Sequence, residues 1–163
     1  MKLKPSLTLD AASTIMDTAL AYGRVENLLP LTVVVLDAGG KMIASKSEDG
    51  SGIMRLDIAR GKAWGALGMG MSSRMIRDRL STRPTFVTSL AAVADGQFVP
   101  VPGGVLIEDA DGFAIGAIGI SVATSEKDEY CAIRAVQDVG LQAEPPQIDP
   151  EWQSSSLSDH EDK

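Results

Sequence analysis

The 163-residue sequence is poor in the residues that build disulfide-linked or metal-bound proteins. It has one cysteine, Cys131, so no intramolecular disulfide can form, which fits a reducing compartment. It has one histidine, His160, close to the C-terminal end, so we expect neither a histidine-based metal site nor a Ser-His-Asp triad. Aromatic residues make up only 4% of the chain. The core must therefore be built from Ala, Val, Ile, Leu and Met.

The sequence also lacks the patterns that mark several large functional classes. It has no apolar run of about 18 residues and no apolar signal core, so we expect a soluble, cytoplasmic protein with no membrane partner. No GxGxxG follows the first predicted strand and no phosphate loop is present, which argues against dinucleotide or NTP binding. The part of the chain before residue 144 is nearly neutral, so no nucleic-acid partner is expected.

The net charge of −7 is concentrated at the C-terminal end. From Glu144 onward the chain has six acidic residues and one basic residue, together with several prolines and serines. We therefore predict a domain of residues 1–143 and an acidic, Pro/Ser-rich tail of residues 144–163, extended or disordered. Deletion of the residues after Leu141 is expected to leave the fold intact. Trp152 and Leu157 are large apolar residues of this tail that would dock on the domain or on a neighbouring subunit.

Hydrophobic periodicity predicts alternating helices and strands. The predicted helices cover residues 8–26, 53–70, 72–80, 84–94 and 125–139, and the predicted strands cover residues 31–37, 41–47, 105–108 and 113–122. Gly39 and Gly40 predict a hairpin turn between the first two strands. Gly61, Gly65 and Gly68 give the second helix a small-residue face that requires close packing. This order predicts an α/β or α+β sandwich with an antiparallel sheet.

Charged residues inside the predicted helices are candidates for ligand binding. Lys62 and Arg55 share one helix face and would receive a carboxylate, the alternative being a solvated face. A basic cluster has three possible roles: binding an anionic ligand, pairing with acidic residues across a subunit interface, or forming a solvated helix face. Its members are Arg74, Arg77, Arg79 and Arg83. Cys131 follows Asp128 and Glu129, which disfavour a thiolate, so we interpret it as a small core residue.

Four sequence blocks carry a resemblance to a known family. They are VVLDAGG at residues 34–40, DIARGKA at 57–63, VPVPGG at 99–104, and IGAIGIS at 115–121 followed by KDEYCA at 127–132. In this order and spacing the chain resembles the GlcG/HbpS family, which also supplies the C-terminal domain of PduO-type proteins. The likeness extends over residues 7–141.

The resemblance implies a profilin-like α/β/α layered domain with a five-stranded antiparallel sheet. It implies a homo-oligomer, from dimer to octamer, that binds haem or another planar anionic small molecule. The alternative is an enzyme: a cofactor-independent lyase or isomerase of a small carboxylated aromatic or hydroxy acid, similar to 4-hydroxylaminobenzoate lyase. Some haem-binding relatives use a histidine ligand, and this chain has none before the predicted tail.

The residues of these blocks form the predicted site. Glycine-lined loops and the start of the last helix offer backbone amides to an anionic group, although the same glycines equally suit tight turns. The predicted ligand-binding residues are Gly39, Gly40, Arg55, Lys62, Pro102, Gly103 and Gly104. The acid–base candidates of the enzyme alternative are Asp37, Lys62, Asp128 and Glu129. The aromatic residues available to line an apolar pocket are Trp64, Phe86 and Phe98.

Lys62 is the first choice as the partner of a ligand carboxylate. It lies in the second block, on a helix whose small side chains would let a flat molecule approach. We expect Lys62→Ala to weaken ligand binding and to leave stability nearly unchanged, because truncating an exposed lysine costs little.

Overall fold

A computed structural model describes residues 4–156. The helices are α1 (Leu9–Val25), α2 (Arg55–Met69), α3 (Ser73–Leu80), α4 (Pro84–Val93) and α5 (Ser125–Asp138). The strands are β1 (Thr32–Asp37), β2 (Met42–Ser47), β3 (Gly104–Glu108), β4 (Ala114–Ser121) and β5 (Gln142–Glu144). Every predicted helix and strand is present within a few residues of its expected bounds, whereas β5 was not predicted from the residue pattern.

The five strands form one antiparallel sheet in the order β2-β1-β4-β3-β5. Along β1, Val33 and Val35 face a cluster formed with α1 and α5, whereas Val34 and Leu36 face a cluster formed with α2. A strand buried on both faces needs apolar residues throughout, which explains the uninterrupted apolar run of β1. The structure thus confirms the expected α/β/α layers around a five-stranded antiparallel sheet.

Helix α2 lies unusually close to the sheet and to the loop before β3. A Cβ atom at Gly119 of β4 would lie 1.9 Å from the carbonyl oxygen of Ala59, and one at Gly61 would lie 2.6 Å from Cγ2 of Val99. Contacts this short exclude any side chain at either glycine. The small-residue face predicted for this helix therefore exists, and it brings the middle of α2 up to the end of β4.

The chain beyond α5 joins the body of the protein. Strand β5 pairs with β3, so the sheet ends at Glu144, the residue at which the tail was predicted to begin. Residues 145–155, here called the C-terminal strap, then run along α5, and the ring of Trp152 stacks on Tyr130 with centroids 3.8 Å apart and an interplanar angle of 4°. Of the two apolar residues predicted to dock, Trp152 packs on the protein's own body. Leu157 and His160 lie outside the described residues.

Candidate functional site

Lys62 and Asp128 form a buried ion pair between α2 and α5. The Lys62 Nζ atom lies 2.7 Å from Oδ2 of Asp128, and the two side chains are 3% and 2% exposed. Lys62 Nζ also donates to the carbonyl of Ile120 at 2.9 Å, and Oδ1 of Asp128 accepts from the backbone amides of Val122 and Ala123. The pair therefore links two helices on opposite faces of the sheet at the end of β4.

These internal partners explain how both charged groups can be buried. Burial raises the pKa of the Asp128 carboxyl, and the Lys62 ammonium and two backbone amides oppose that rise. Lys62 was expected on a face open to a ligand or to solvent, but the structure buries it because Asp128 and the Ile120 carbonyl take up its ammonium group.

The loop before β3 packs against this ion pair. Gly103 has a φ of +113°, and a Cβ atom there would lie 2.9 Å from Nζ of Lys62 and 3.0 Å from Cβ of Asp128. The Gly104 amide donates to Oγ of Ser73 at 2.7 Å, and that hydroxyl donates back to the Gly104 carbonyl at 3.2 Å. The structure thus brings Lys62, Asp128 and the Pro102–Gly104 loop together in a tightly packed part of the interior, where a side chain at Gly103 would force its neighbours to shift.

The remaining residues of the predicted ligand site lie elsewhere. Oδ1 of Asp37 accepts from the amides of Gly39 and Lys41, both at 2.9 Å, and so closes the β1–β2 turn. Gly40 faces Trp64 in a small pocket of about 170 Å³ beside this turn. These contacts give Asp37 a turn-forming role in the hairpin.

Arg55 lies at the opposite end of the sheet from Asp37. Its Nη1 atom is 3.4 Å from Oγ of Ser121, at the last residue of β4, whereas Asp37 pairs with Gly116 near the start of that strand. Five residues of strand separate the two ends by roughly 16 Å. Arg55 therefore lies at the same end of β4 as the Lys62–Asp128 pair, whereas the turn of Asp37 lies at the other end.

Glu129 follows Asp128 on α5 but has a different environment. Its side chain is 1% exposed, and both carboxylate oxygens are buried without a hydrogen-bond partner. Nε of Arg74 on α3 lies 3.3 Å from Oε2, close enough for an ion pair. Burial is the main cause that raises the pKa of Glu129 to about 7, and Arg74 and Arg77 act against it while Asp149 and Glu126 add to it. A buried carboxyl group that titrates near neutral pH is a candidate acid–base group.

The C-terminal strap covers the same side of α5. It runs antiparallel to the helix: Gln137 donates to the carbonyl of Pro146 at 2.8 Å near one end, and Thr124 and Ser155 are hydrogen-bonded at the other. Trp152 on Tyr130 forms the aromatic contact between them. The strap is therefore fastened at both ends of α5 and in the middle.

Arg74 connects this strap to Glu129. Its Nη2 atom donates to the carbonyl of Gln147 at 2.7 Å, and its Nη1 atom lies 4.0 Å from Oδ2 of Asp149. The sequence singled out both Arg74 and Glu129, in separate sets. It gave no signal for their pairing, because the two residues and the strap come from three distant parts of the chain.

A cleft between α3 and α4 is the apolar cavity nearest to the basic cluster. It has a volume of about 390 Å³ and is lined by Arg77, Leu80, Ser81, Pro84, Val87, Thr88 and Pro100. The guanidinium of Arg77 pairs with two carboxylates: Nη1 lies 3.1 Å from Oε1 of Glu126, and Nε lies 2.9 Å from Oδ1 of Asp78. A larger groove of about 510 Å³ lies on α1, but Asp17 and Asp138 line it and make it unsuitable for an anion. The α3–α4 cleft, which the sequence did not predict, therefore suits an anionic ligand better.

Cys131 is a further candidate for nucleophilic chemistry, and the acidic residues are further candidates for metal binding. Cys131 is fully buried, and burial raises the pKa of its thiol to about 12, so it belongs to the core. Within residues 4–156, no group of three or more His, Cys, Asp or Glu residues is placed to hold a metal ion. In the same range, no helix has the length and apolar character needed to cross a bilayer.

Comparisons with known proteins agree with this fold. Three similar solved structures are a PduOC–haem complex (TM-score 0.74, 22% identity, 83% of this chain and 96% of that chain), the Klebsiella pneumoniae protein ORFY (0.74, 22%, 84% and 92%) and HbpS (0.72, 25%, 86% and 94%). No curated protein sequence matches the chain significantly. The sequence model of a family described as haem degrading protein HbpS-like matches residues 7–137. Because this match covers most of the sequence, the chain belongs to the HbpS-like haem degrading protein family.

Proposed function

We propose that the protein binds haem or another planar anionic small molecule in the α3–α4 cleft. One observation carries the proposal: this cleft is lined by apolar side chains together with Arg77. Flat apolar surface favours an aromatic ring system, and an arginine favours the carboxylate at its edge. Family membership and the haem complex of PduOC support binding of haem or a small ligand in general.

Haem itself fits this cleft only in part. The apolar walls and Arg77 suit the porphyrin ring and its carboxylates. The lining has no histidine, cysteine, methionine or tyrosine, the usual axial ligands of haem iron, and Ser81 and Thr88 supply only hydroxyl groups. The cleft is thus suited to the organic part of the molecule and not to its iron, so we infer that the metal adds little to the affinity.

A comparison of haem with iron-free protoporphyrin IX tests this proposal. We expect both to bind with similar affinity in absorbance and fluorescence titrations, because the ring and carboxylates make the contacts. Arg77→Ala should weaken both by roughly tenfold, as expected for the loss of a hydrogen bond between charged groups. Arg79→Ala is the matched control, since Arg79 is an exposed arginine of the same helix. Equal affinity of the two variants, or no binding to the wild type, would overturn the proposal.

The proposal includes assembly of the protein as a homo-oligomer through α4. None of the ten residues of α4 is buried, although most are apolar, and Phe86 and Val93 are 45% and 86% exposed. Exposed apolar surface next to a ligand cleft is typical of an interface. A second copy seated on this helix would cover α4 and close the open side of the cleft.

A second candidate function is acid–base catalysis at Glu129. The observation that favours it is a buried carboxyl group with no hydrogen-bond partner beside Arg74, since an arginine can hold a substrate carboxylate while the acid moves a proton. This is the arrangement that a cofactor-independent lyase or isomerase of a small carboxylated molecule requires. Turnover of a small hydroxy acid or carboxylated aromatic that falls at least a hundredfold in Glu129→Gln and stays normal in Glu151→Gln would support it, and equal turnover in both variants would exclude it.

A further inference from the structure

Arg74 and Glu129 are two charged groups whose hydrogen-bonding capacity the protein itself uses poorly. Both oxygens of Glu129 lack a donor although the side chain is 1% exposed. A buried carboxylate without hydrogen bonds costs far more than one whose lone pairs are satisfied. The site is therefore electrostatically incomplete and would be stabilised by a molecule that brings a donor.

The guanidinium of Arg74 contacts Glu129 through Nε at 3.3 Å, and its two other nitrogens are held by the strap. Its distance to the Asp149 carboxylate is 4.0 Å, at the limit of an ion pair, and its short hydrogen bond goes to a neutral carbonyl, that of Gln147. An arginine normally binds a carboxylate through two parallel hydrogen bonds. A ligand carboxylate would provide these two bonds at the position that Asp149 approaches.

Two groups of the C-terminal strap contact Arg74: the Gln147 carbonyl and the Asp149 carboxylate. Beyond Glu144 the strap has no strand pairing with the sheet, and its contacts with α5 are side-chain hydrogen bonds at the ends and the Trp152–Tyr130 stack. Separation of the strap from α5 would leave the sheet intact, but it would lift Ile148 and Trp152 off the core cluster on which they pack. Such separation would expose Arg74 and Glu129 together.

We propose that Arg74 and Glu129 form a binding site for a small molecule that carries a carboxylate next to a hydroxyl or ammonium donor, and that the C-terminal strap closes this site with its own Asp149 and Gln147 oxygens. The 3.3 Å between Nε of Arg74 and Oε2 of Glu129 sets the size of the ligand, because its acceptor and donor must lie on neighbouring atoms. An α-hydroxy acid and an α-amino acid both have this arrangement. The proposal deepens the acid–base candidate above by naming what the same pair binds, and it holds whether or not the ligand is turned over.

Calorimetric titration with three probes of nearly equal size tests the choice of ligand. L-Lactate and L-alanine carry the donor beside the carboxylate, and propionate lacks it. We expect lactate or alanine to bind the full-length protein at least tenfold more tightly than propionate, since a hydrogen bond to a charged group has this effect. The better of the two identifies the donor as hydroxyl or ammonium. Binding of neither, or equal binding of all three, would overturn the proposal.

Variants test the site and the strap separately. Arg74→Ala should abolish binding and Arg74→Lys should leave a weaker site, with circular dichroism to show that both are folded, whereas Arg79→Ala should bind like the wild type. Trp152→Ala loosens the strap without touching the site, so its affinity should rise several-fold, up to about tenfold. Unchanged affinity in Trp152→Ala would show that the strap does not compete, and unchanged affinity in Arg74→Ala would remove the site. Porphyrin binding in the α3–α4 cleft is measured separately with Arg77→Ala, so failure here leaves that proposal standing.

Discussion

Lys62 and Asp128 join two helices on opposite faces of the sheet through one buried contact of 2.7 Å. A buried pair of this kind is strongly destabilising when only one partner is lost, because the other charge is left in the interior without compensation. This relationship gives Lys62 a part in the stability of the fold.

Replacement of Lys62 tests this role. We expect Lys62→Met to lower the free energy of unfolding by about 3–5 kcal/mol, measured by urea denaturation, because Asp128 remains buried and unpaired. The double variant Lys62→Met/Asp128→Leu should recover part of the loss, since no isolated charge remains. This expectation replaces the one from the sequence alone, which placed Lys62 on an exposed face. A loss below about 1 kcal/mol in Lys62→Met would contradict the structural role.

Glu129 makes the stability of the protein depend on pH in a defined direction. Its pKa is about 7 in the folded protein and has a usual value of 4.5, so the folded state binds the proton more tightly. The protonated Glu129 carboxyl therefore makes its full contribution to stability below about pH 4.5. This contribution falls as the pH rises to 7 and is lost above that. The free energy of unfolding of Glu129→Gln, taken relative to the wild type, should therefore rise by on the order of 3 kcal/mol as the pH increases from 5 to 8.

The measurement is the difference in unfolding free energy between Glu129→Gln and wild type at several pH values. Using the difference cancels the contributions of other titrating groups. Glu151→Gln serves as the control, since Glu151 is an exposed glutamate. A difference that is the same at pH 5 and pH 8 would show that Glu129 titrates normally.

Truncation separates the fifth strand and the strap from the rest of the chain. A protein ending at Leu141 loses the β3–β5 pairing and the Trp152 stack, so its melting temperature should fall by several degrees relative to one ending at Ser156. A third protein ending at Glu144 keeps β5 and should lie between the two. Identical melting temperatures for all three would mean that the predicted domain of residues 1–143 is sufficient for the fold.

The exposed face of α4 predicts how assembly responds to substitution. Phe86→Ser/Val93→Ser should lower the oligomer size measured by light scattering, because both side chains would lie in the interface. Phe113→Ser is the matched control, since Phe113 is an apolar residue, 70% exposed, next to the β3–β4 turn. A monomeric wild type near 17 kDa, or an equal effect of both substitutions, would contradict assembly through α4.

The sequence predicted best the helices whose apolar residues recur over several turns and the strands with a long apolar run. Ala12, Ile15 and Ala19 mark the buried face of α1, and the apolar run of β1 marks a strand covered on both faces. Strand β5 has no such pattern, because it is three residues long and only Ala143 points into the core. Pairing with the open edge of β3, and not the residues themselves, makes it a strand.

The candidate site was less predictable for a related reason. The burial of Lys62 depends on Asp128, which lies 66 residues away, and no local pattern announces such a partner. Arg74 and Glu129 were each singled out as charged residues, but their common environment arises only when α3, α5 and the strap meet. Residue types could indicate the chemistry in advance, and only the fold could show which groups share a site.

The two glycines at the start of β3, Gly103 and Gly104, affect how this protein tolerates mutation. A Cβ atom at Gly104 would lie 2.3 Å from the carbonyl oxygen of Lys62, and Gly103 combines a φ of +113° with a Cβ position 2.9 Å from Nζ of Lys62. In a library of all single substitutions, these two positions should be as intolerant as Lys62 and Asp128 themselves. Mutational tolerance thus depends also on residues that carry no charge, because the close packing around the ion pair limits what its neighbours can be.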